Sequence, residues 1–308
     1  MPFEILILGN SSATPTLDRF PSGQIIRLQE NYFMVDAGEG MQVQLLRYGV
    51  RASRISHVFI SHLHPDHYLG LIGWICTQNL QRRSSALTIY GPAGLEEIVM
   101  VNMRHSGLKM QYELIFEELE IEQPKVILDL PECTVETVPL LHRIPTAGFI
   151  FREKPHSFKI NQEAFAKENL PVQAYSYFRR GEDFQDDDGK RYSFREFTYP
   201  PPPPRTYACL SDTRCSDKYF SQIAGADLLY HEATFRNQHL DLAEKTLHST
   251  TGEAAMAARQ TNAKQLIISH FSSRYKNLEE LLKEARAVFP NTELARAGLR
   301  LSIPFQSA

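Results

Sequence analysis

Short apolar runs recur along the chain, and each stops at a polar residue able to bind a metal or move a proton. "NYFMVD" ends at Asp36, "HVFISH" at His62, "VETVPLLH" at His142, "RTYACLSD" at Asp212, "ADLLYHE" at His231 and Glu232, and "QLIISH" at His270. Runs of this length, rich in β-branched and aromatic residues, predict strands. The lack of strict alternation predicts strands buried on both faces. Helical patterns fall between them, around residues 39–48, 251–261 and 277–287. The second has a start signal, because Thr250 and Glu253 stand in the T-x-x-E relation of a capping box ahead of "AAMAARQ". The alternation predicts an α/β fold of sheets covered by helices. Strand ends that share one edge, as open α/β sheets arrange them, would bring the polar termini to one site.

The stretch 152–205 has a different texture. It holds few strand-like runs, a polar cluster "GEDFQDDDGKRYSFREF" and five consecutive prolines, Pro200 to Pro204. Its ten Lys/Arg and nine Asp/Glu nearly cancel. A solvated loop is one reading. An inserted arm that leaves the body and returns through a stiff proline segment is the favoured one, because structureless loops of this length are uncommon inside compact domains.

Composition narrows the class without choosing a partner. The 308 residues are 43% hydrophobic and 22% charged, enough apolar material for a sizeable core. A formal charge of −3 predicts no global attraction to nucleic acid, so any RNA contact must rest on a local basic patch. Cys76, Cys133, Cys209 and Cys215 lack C-x-x-C spacing and read as free thiols. "MPFEILILGN" has no basic n-region and reads as a first strand, not a signal peptide. No run approaches the roughly 18 apolar residues of a membrane span. A cytoplasmic protein is expected.

The chemistry is densest in "FISHLHPDH", which carries His62, His64, Asp66 and His67 within six positions. Imidazole and carboxylate without thiolate suit zinc, and also manganese or iron. His142, Asp212 and His270, each at a strand end, would complete the set. Seven ligands exceed one tetrahedral ion and fit two metals sharing a carboxylate, the arrangement of two-metal hydrolases. Downstream, "YHEATF" and "HSTTGE" offer Glu232 and His248 as a carboxylate–imidazole pair that could protonate a leaving oxygen. Alternatively, His248 merely precedes the helix cap and Glu232 makes a surface ion pair.

The H-x-H-x-D-H run at 62–67 resembles the metallo-β-lactamase superfamily. With "VDAGEGMQ", "LLHRIPTAGF", "LSDTR", "HEATF", "HSTTGEAA" and "SHFSSRY" in order, the chain is similar to the ribonuclease Z family, which removes the 3′ trailer from precursor transfer RNA. The resemblance implies an α/β, metallo-β-lactamase-type αββα four-layer sandwich forming one catalytic domain over 1–308, with 152–205 as an inserted, protruding arm. It implies two zinc ions per subunit, with Mn or Fe as substitutes. One would be held by His62, His64, His142 and Asp212, the other by Asp66, His67, Asp212 and His270. Asp66 would accept a proton from the attacking water, and Glu232 with His248 would assist the leaving 3′ oxygen. A homodimer acting on precursor transfer RNA, with no membrane partner, is implied as well. Where the arm usually carries a glycine- and proline-rich G-x-P segment, "NLPVQAYSYFRRGEDF" keeps only Pro171. Arg179, Arg180, Lys190 and Arg191 there, Arg19 in the loop 11–22 and Arg274 in "SHFSSRY" are candidate phosphate contacts, or else parts of solvated charged loops. Two competing functions stay open: a small-molecule ester hydrolase on the same scaffold, and a metal-bound but catalytically idle RNA-binding protein.

Overall fold

In the computed structural model, which describes residues 1–305, two seven-stranded sheets face each other. The last three positions of the expected 1–308 domain lie outside the described residues. The first sheet has the order Arg300–Ser302, Phe3–Gly9, Gly23–Leu28, Asn31–Ala37, Ile55–Phe59, Leu87–Gly91, Leu114–Glu118. The second runs Thr292–Leu294, Leu266–Ser269, Leu228–Glu232, Thr206–Leu210, Thr146–Glu153, Cys133–Leu140, Val126–Asp129. Between the sheets lies a buried apolar layer that includes Phe33, Phe59, Phe149, Phe151, Tyr207 and Tyr230. Its rings interdigitate across the interface, with Phe33 and Phe151 centroids 5.5 Å apart and Phe59 and Phe149 5.4 Å apart.

Each sheet's other face is covered by helices, which makes four layers. Met41–Arg47, Pro65–Leu80 and Leu95–His105 pack Leu45, Trp74 and Val99 onto the first sheet. Thr251–Gln260 and Glu279–Val288 pack Ala254, Ala258 and Leu281 onto the second. Burial on both faces explains why these strands read as continuous apolar runs. The capping box at Thr250 is present in both directions, with its side chain accepting from the Glu253 amide and Glu253 accepting from the Thr250 amide. No helix among the described residues is long and apolar enough to cross a membrane.

Residues Glu153–Arg205, with Pro304 and Phe305, form a compact unit of their own. Two helices, Gln162–Lys167 and Val172–Arg180, and two short antiparallel ribbons enclose a small core of Ile160, Leu170, Ala174, Phe178, Phe184 and Phe197. Phe178 and Phe197 stack at 5.1 Å. Gly181 ends the second helix at φ 76°, a left-handed conformation that a β-carbon would strain.

The chain enters and leaves this unit through a buried ion pair. Arg205 donates from Nε and Nη2 to the two carboxylate oxygens of Glu153, at 2.9 and 2.7 Å, with both side chains almost fully buried. Burial raises the Glu153 carboxyl, but Arg205 outweighs that, so it ionises below its ordinary range. Its stabilisation is complete above the unfolded carboxyl's pKa and is lost as pH falls through the lower folded value. Glu153→Ala leaves a buried guanidinium without its carboxylate and is expected to destabilise by about 3–5 kcal/mol. Urea unfolding with hydrogen exchange mapped over 153–205 checks this, and unchanged protection there would refute it.

Candidate metal centre and catalytic cleft

Several strands stop just short of the metal-type donors, while Glu232 closes Leu228–Glu232 and Asp36 lies within Asn31–Ala37. Ile55–Phe59 ends three residues before His62, Cys133–Leu140 two before His142, Thr206–Leu210 two before Asp212, and Leu266–Ser269 one before His270. Residues just past a strand are freed from the ladder and can aim their side chains together. Asp36 and His270 pass through the left-handed region at φ 55° and 60°, uncommon for non-glycine residues and typical of strained functional positions. Asp66 and His67 differ from the loop expectation, since they lie in the first turn of helix Pro65–Leu80. Pro65 takes the first helical position, where it lacks only an amide hydrogen that would be unpaired anyway. That helix lies against the turn after Asp36: a β-carbon on Gly70 would sit 2.1 Å from the Gly38 carbonyl oxygen.

Two donor sets result. His62, His64, His142 and Asp212 form one, and Asp66, His67 and His270 the other, with donor atoms in each within 4.8 Å of one another. Asp212 faces both. Its Oδ2 is 3.5 Å from His62 Nε2 and 3.9 Å from His142 Nε2, while its Oδ1 is 3.5 Å from His67 Nε2 and 3.2 Å from His270 Nε2. Asp66 Oδ2 lies 3.5 Å from both His67 Nε2 and His270 Nε2. Bonds of about 2.0–2.2 Å at tetrahedral angles place neighbouring donors about 3.3–3.6 Å apart, so this spacing suits a shared small cation. His67 Nε2, His270 Nε2 and Asp212 Oδ1 are buried and have no hydrogen-bond partner among the described residues. Buried polar atoms are rarely left so, and a divalent cation would satisfy all three.

Protonation supports the same fit. Burial and neighbouring imidazoles push His62 well below its ordinary value, and burial lowers His64 and His142, leaving them neutral. Burial would raise Asp66 and Asp212, but the histidines around them outweigh it and keep both ionised. His67 moves upward: burial lowers it, but Asp212 and Asp36 outweigh that and hold a proton there, which a cation would displace.

Outside the donors, a second layer fixes the rings. His67 Nδ1 meets Asp36 Oδ2 at 2.8 Å, and the Ser61 amide donates to Asp36 Oδ1 at 2.8 Å. His142 Nδ1 meets the Leu247 carbonyl at 2.9 Å, and His270 Nδ1 meets Thr234 Oγ1 at 2.9 Å. Each contact points the ring's Nε2 inward. The sequence marks Asp36 as the end of an apolar run but gives it no role, and Ser61, Thr234 and Leu247 are not among the candidates; a backbone carbonyl leaves no trace in residue type. Asp36→Ala is expected to weaken metal binding by about 10–100-fold, read by competition with a chelator, and unchanged affinity would show the contact to be dispensable.

Glu232 and His248 meet here as well. Glu232 Oε1 lies 2.7 Å from His248 Nδ1, and Glu232 is fully buried, which excludes a surface ion pair. Its oxygens also accept from the Thr213 amide at 3.0 Å, the Thr234 amide at 3.0 Å and the Thr234 hydroxyl at 2.8 Å. His64, Asp66, His142, Asp212, His248 and His270 line one cleft of about 500 Å³ with Ser12, Ala13, Thr14 and Arg143, while His62, His67 and Glu232 are buried. The candidate phosphate contacts are divided between the two units. Arg19 is half-buried beside Asp18, and Arg274 lies over the Phe235 ring at 5.1 Å. In the 153–205 unit, Arg180 pairs with Glu182, Arg191 with Asp183 and Lys190 with Glu168, while Arg179 is exposed.

Comparison with known proteins agrees with this site. Residues 3–168 match the family model described as anti-Pycsar protein Apyc1. A ribonuclease Z of Bacteroides fragilis is 41% identical over 98% of this chain and 99% of its own length. One of Cytophaga hutchinsonii is 43% identical over 97% of this chain and 95% of its own. Among solved structures, human tRNase Z, short form (ELAC1), aligns with a TM-score of 0.72 at 26% identity, covering 98% of this chain and all of that one. The metallo-β-lactamase fold and the His/Asp clusters together indicate a divalent-metal protein. The stretch 3–168 thus falls within the Apyc1 family model, and over its full length the chain belongs to the ribonuclease Z family.

Proposed function

We propose that the protein is a metal-dependent endoribonuclease that cuts precursor transfer RNA after the discriminator base, removing the 3′ trailer and leaving a 3′-hydroxyl. It does so as a homodimer with two zinc ions per subunit. The observation that carries this reading is the buried Glu232–His248 pair set beside two donor sets that share Asp212, in a chain with ribonuclease Z relatives along its whole length.

His62, His64, His142 and Asp212 would hold one cation, and Asp66, His67, Asp212 and His270 the other. Bound there, divalent cations supply positive charge to phosphodiester oxygens and acidify water. Asp66 is oriented by the Ala13 amide, which donates to its Oδ2 at 2.8 Å. It takes the proton of the attacking water. His248 has its Nδ1 committed to Glu232, so Nε2 is the atom that delivers a proton to the leaving 3′ oxygen. Glu232, held ionised by its partners, keeps that ring charged and upright. Arg143, at the cleft wall, is placed to meet a phosphate.

The deciding experiment incubates the metal-loaded protein with a 3′-extended transfer RNA and maps the product ends, with a small phosphodiester in parallel. Cleavage at the discriminator with a 3′-hydroxyl is expected. Intact RNA beside metal-dependent hydrolysis of the small ester would replace this reading with a small-molecule phosphodiesterase.

A further inference from the structure

We propose a second anion site, a pocket for a compact phosphate-bearing ligand of the nucleoside di- or triphosphate class, on the sheet edge opposite the metal cleft. Its walls come from the starting ends of strands whose finishing ends build the cleft. Tyr32 and Asp36 stand at the two ends of Asn31–Ala37, about 13 Å apart at roughly 3.3 Å per residue. Glu4 opens the strand Phe3–Gly9 that leads into the cleft loop, and Arg54 precedes Ile55–Phe59, which leads to His62.

A groove of about 450 Å³ lies there, within the range of small-molecule sites. Ile25, Val50 and Leu301 contribute its apolar wall, and Arg27, Arg51, Arg54 and Arg300 its rim. Tyr32 is half-buried among them, its ring centre 4.5 Å from the Arg54 guanidinium and 5.7 Å from that of Arg27. Two of the four charges are answered inside the protein. Arg27 meets Glu4 at 3.3 Å, and Arg54 meets Glu30 at 2.6 Å. Arg300 donates only to the Tyr48 carbonyl, at 2.6 Å, and neither it nor Arg51 forms an ion pair among the described residues.

Four guanidinium groups converge on one groove of a chain whose overall charge is −3. Glu4 and Glu30 offset two of these charges, and Arg51 and Arg300 leave a positive rim that attracts an anion. Guanidinium forks match phosphate oxygens in pairs, and flat guanidinium faces also stack on ring systems. Two uncompensated arginines suit a ligand with at least two phosphate charges. The groove's concavity, and its place away from the cleft, favour a compact ligand over a strand running on into the catalytic site.

The test titrates ADP, inorganic pyrophosphate and a short single-stranded RNA separately onto the metal-loaded protein and onto the Arg51→Ala/Arg300→Ala variant. Binding at the metal cleft is common to both proteins, so the difference isolates the groove. ADP affinity is expected to fall about tenfold or more in the variant, with an accompanying loss of salt dependence, while hydrolysis of a small phosphodiester stays unchanged. An equal loss for pyrophosphate assigns the site to phosphate alone, and a loss confined to ADP assigns it to the nucleotide. Equal ADP and pyrophosphate affinity in both proteins overturns the proposal. So does weakened RNA binding with both small ligands unaffected, which would make the groove an RNA contact.

Discussion

Asp212→Asn is expected to strip metal from both donor sets at once and to slow cleavage of 3′-extended transfer RNA by roughly 10³-fold or more, several kcal/mol of lost charge stabilisation. The reason is the two-sidedness of the carboxylate. Oδ2 faces His62 and His142, and Oδ1 faces His67 and His270. An amide keeps the shape but turns one oxygen into a hydrogen-bearing nitrogen and removes the negative charge that cations in both donor sets would share. His64→Ala makes the comparison informative, because His64 contributes only to the first set, through Nδ1 at 2.9 Å from His62 Nε2. Elemental analysis should therefore find the second set partly filled in His64→Ala and both sets depleted in Asp212→Asn. If Asp212→Asn retained full metal and near-normal cleavage, the shared-carboxylate arrangement would be wrong. Circular dichroism on both variants separates metal loss from unfolding.

The sequence announced this site more clearly than it announced the sheets. Ligand chemistry requires particular residue types, so His62, His64, Asp66, His67, His142, Asp212 and His270 stand out wherever an apolar run stops. The donors converge because the strands that precede them finish at one edge, an inference available from the alternation of strands and helices alone. Other features were illegible for physical reasons. Helix Pro65–Leu80 begins inside the ligand run, and its proline reads as loop chemistry until the first-turn geometry is known. The Leu247 carbonyl that turns His142 is a backbone group, and any residue type supplies one. Glu153 and Arg205 are separated by the whole inserted unit, and nothing local marks them as partners. The arginines around Tyr32 are equally scattered in sequence and meet only through sheet register, since Glu4 pairs with Ser302 on one side and Arg27 on the other.

His248→Ala is expected to keep its metal yet cleave precursor transfer RNA about 10²–10⁴-fold more slowly, the usual worth of a positioned general acid. Burial alone would lower the His248 imidazole, but Glu232 at 2.7 Å outweighs it and raises the ring to about 9. The acid form thus exists below that value, and cleavage should fall as pH rises through it. Cations in the neighbouring donor sets repel the imidazolium, so the alkaline limb of kcat belongs at or below about 9. Glu232→Gln keeps a hydrogen-bonding partner but removes the charge, which should move that limb to lower pH by about a unit or more. The leaving group supplies a second, independent readout. A departing 3′ alkoxide needs a proton, whereas a nitrophenolate leaves without one. Hydrolysis of bis(p-nitrophenyl) phosphate by His248→Ala should therefore stay close to wild type while RNA cleavage collapses. Equal losses on both substrates, with an alkaline limb that does not change, would instead make His248 a support for the His142 and His270 rings that flank it at 4.9 and 5.4 Å.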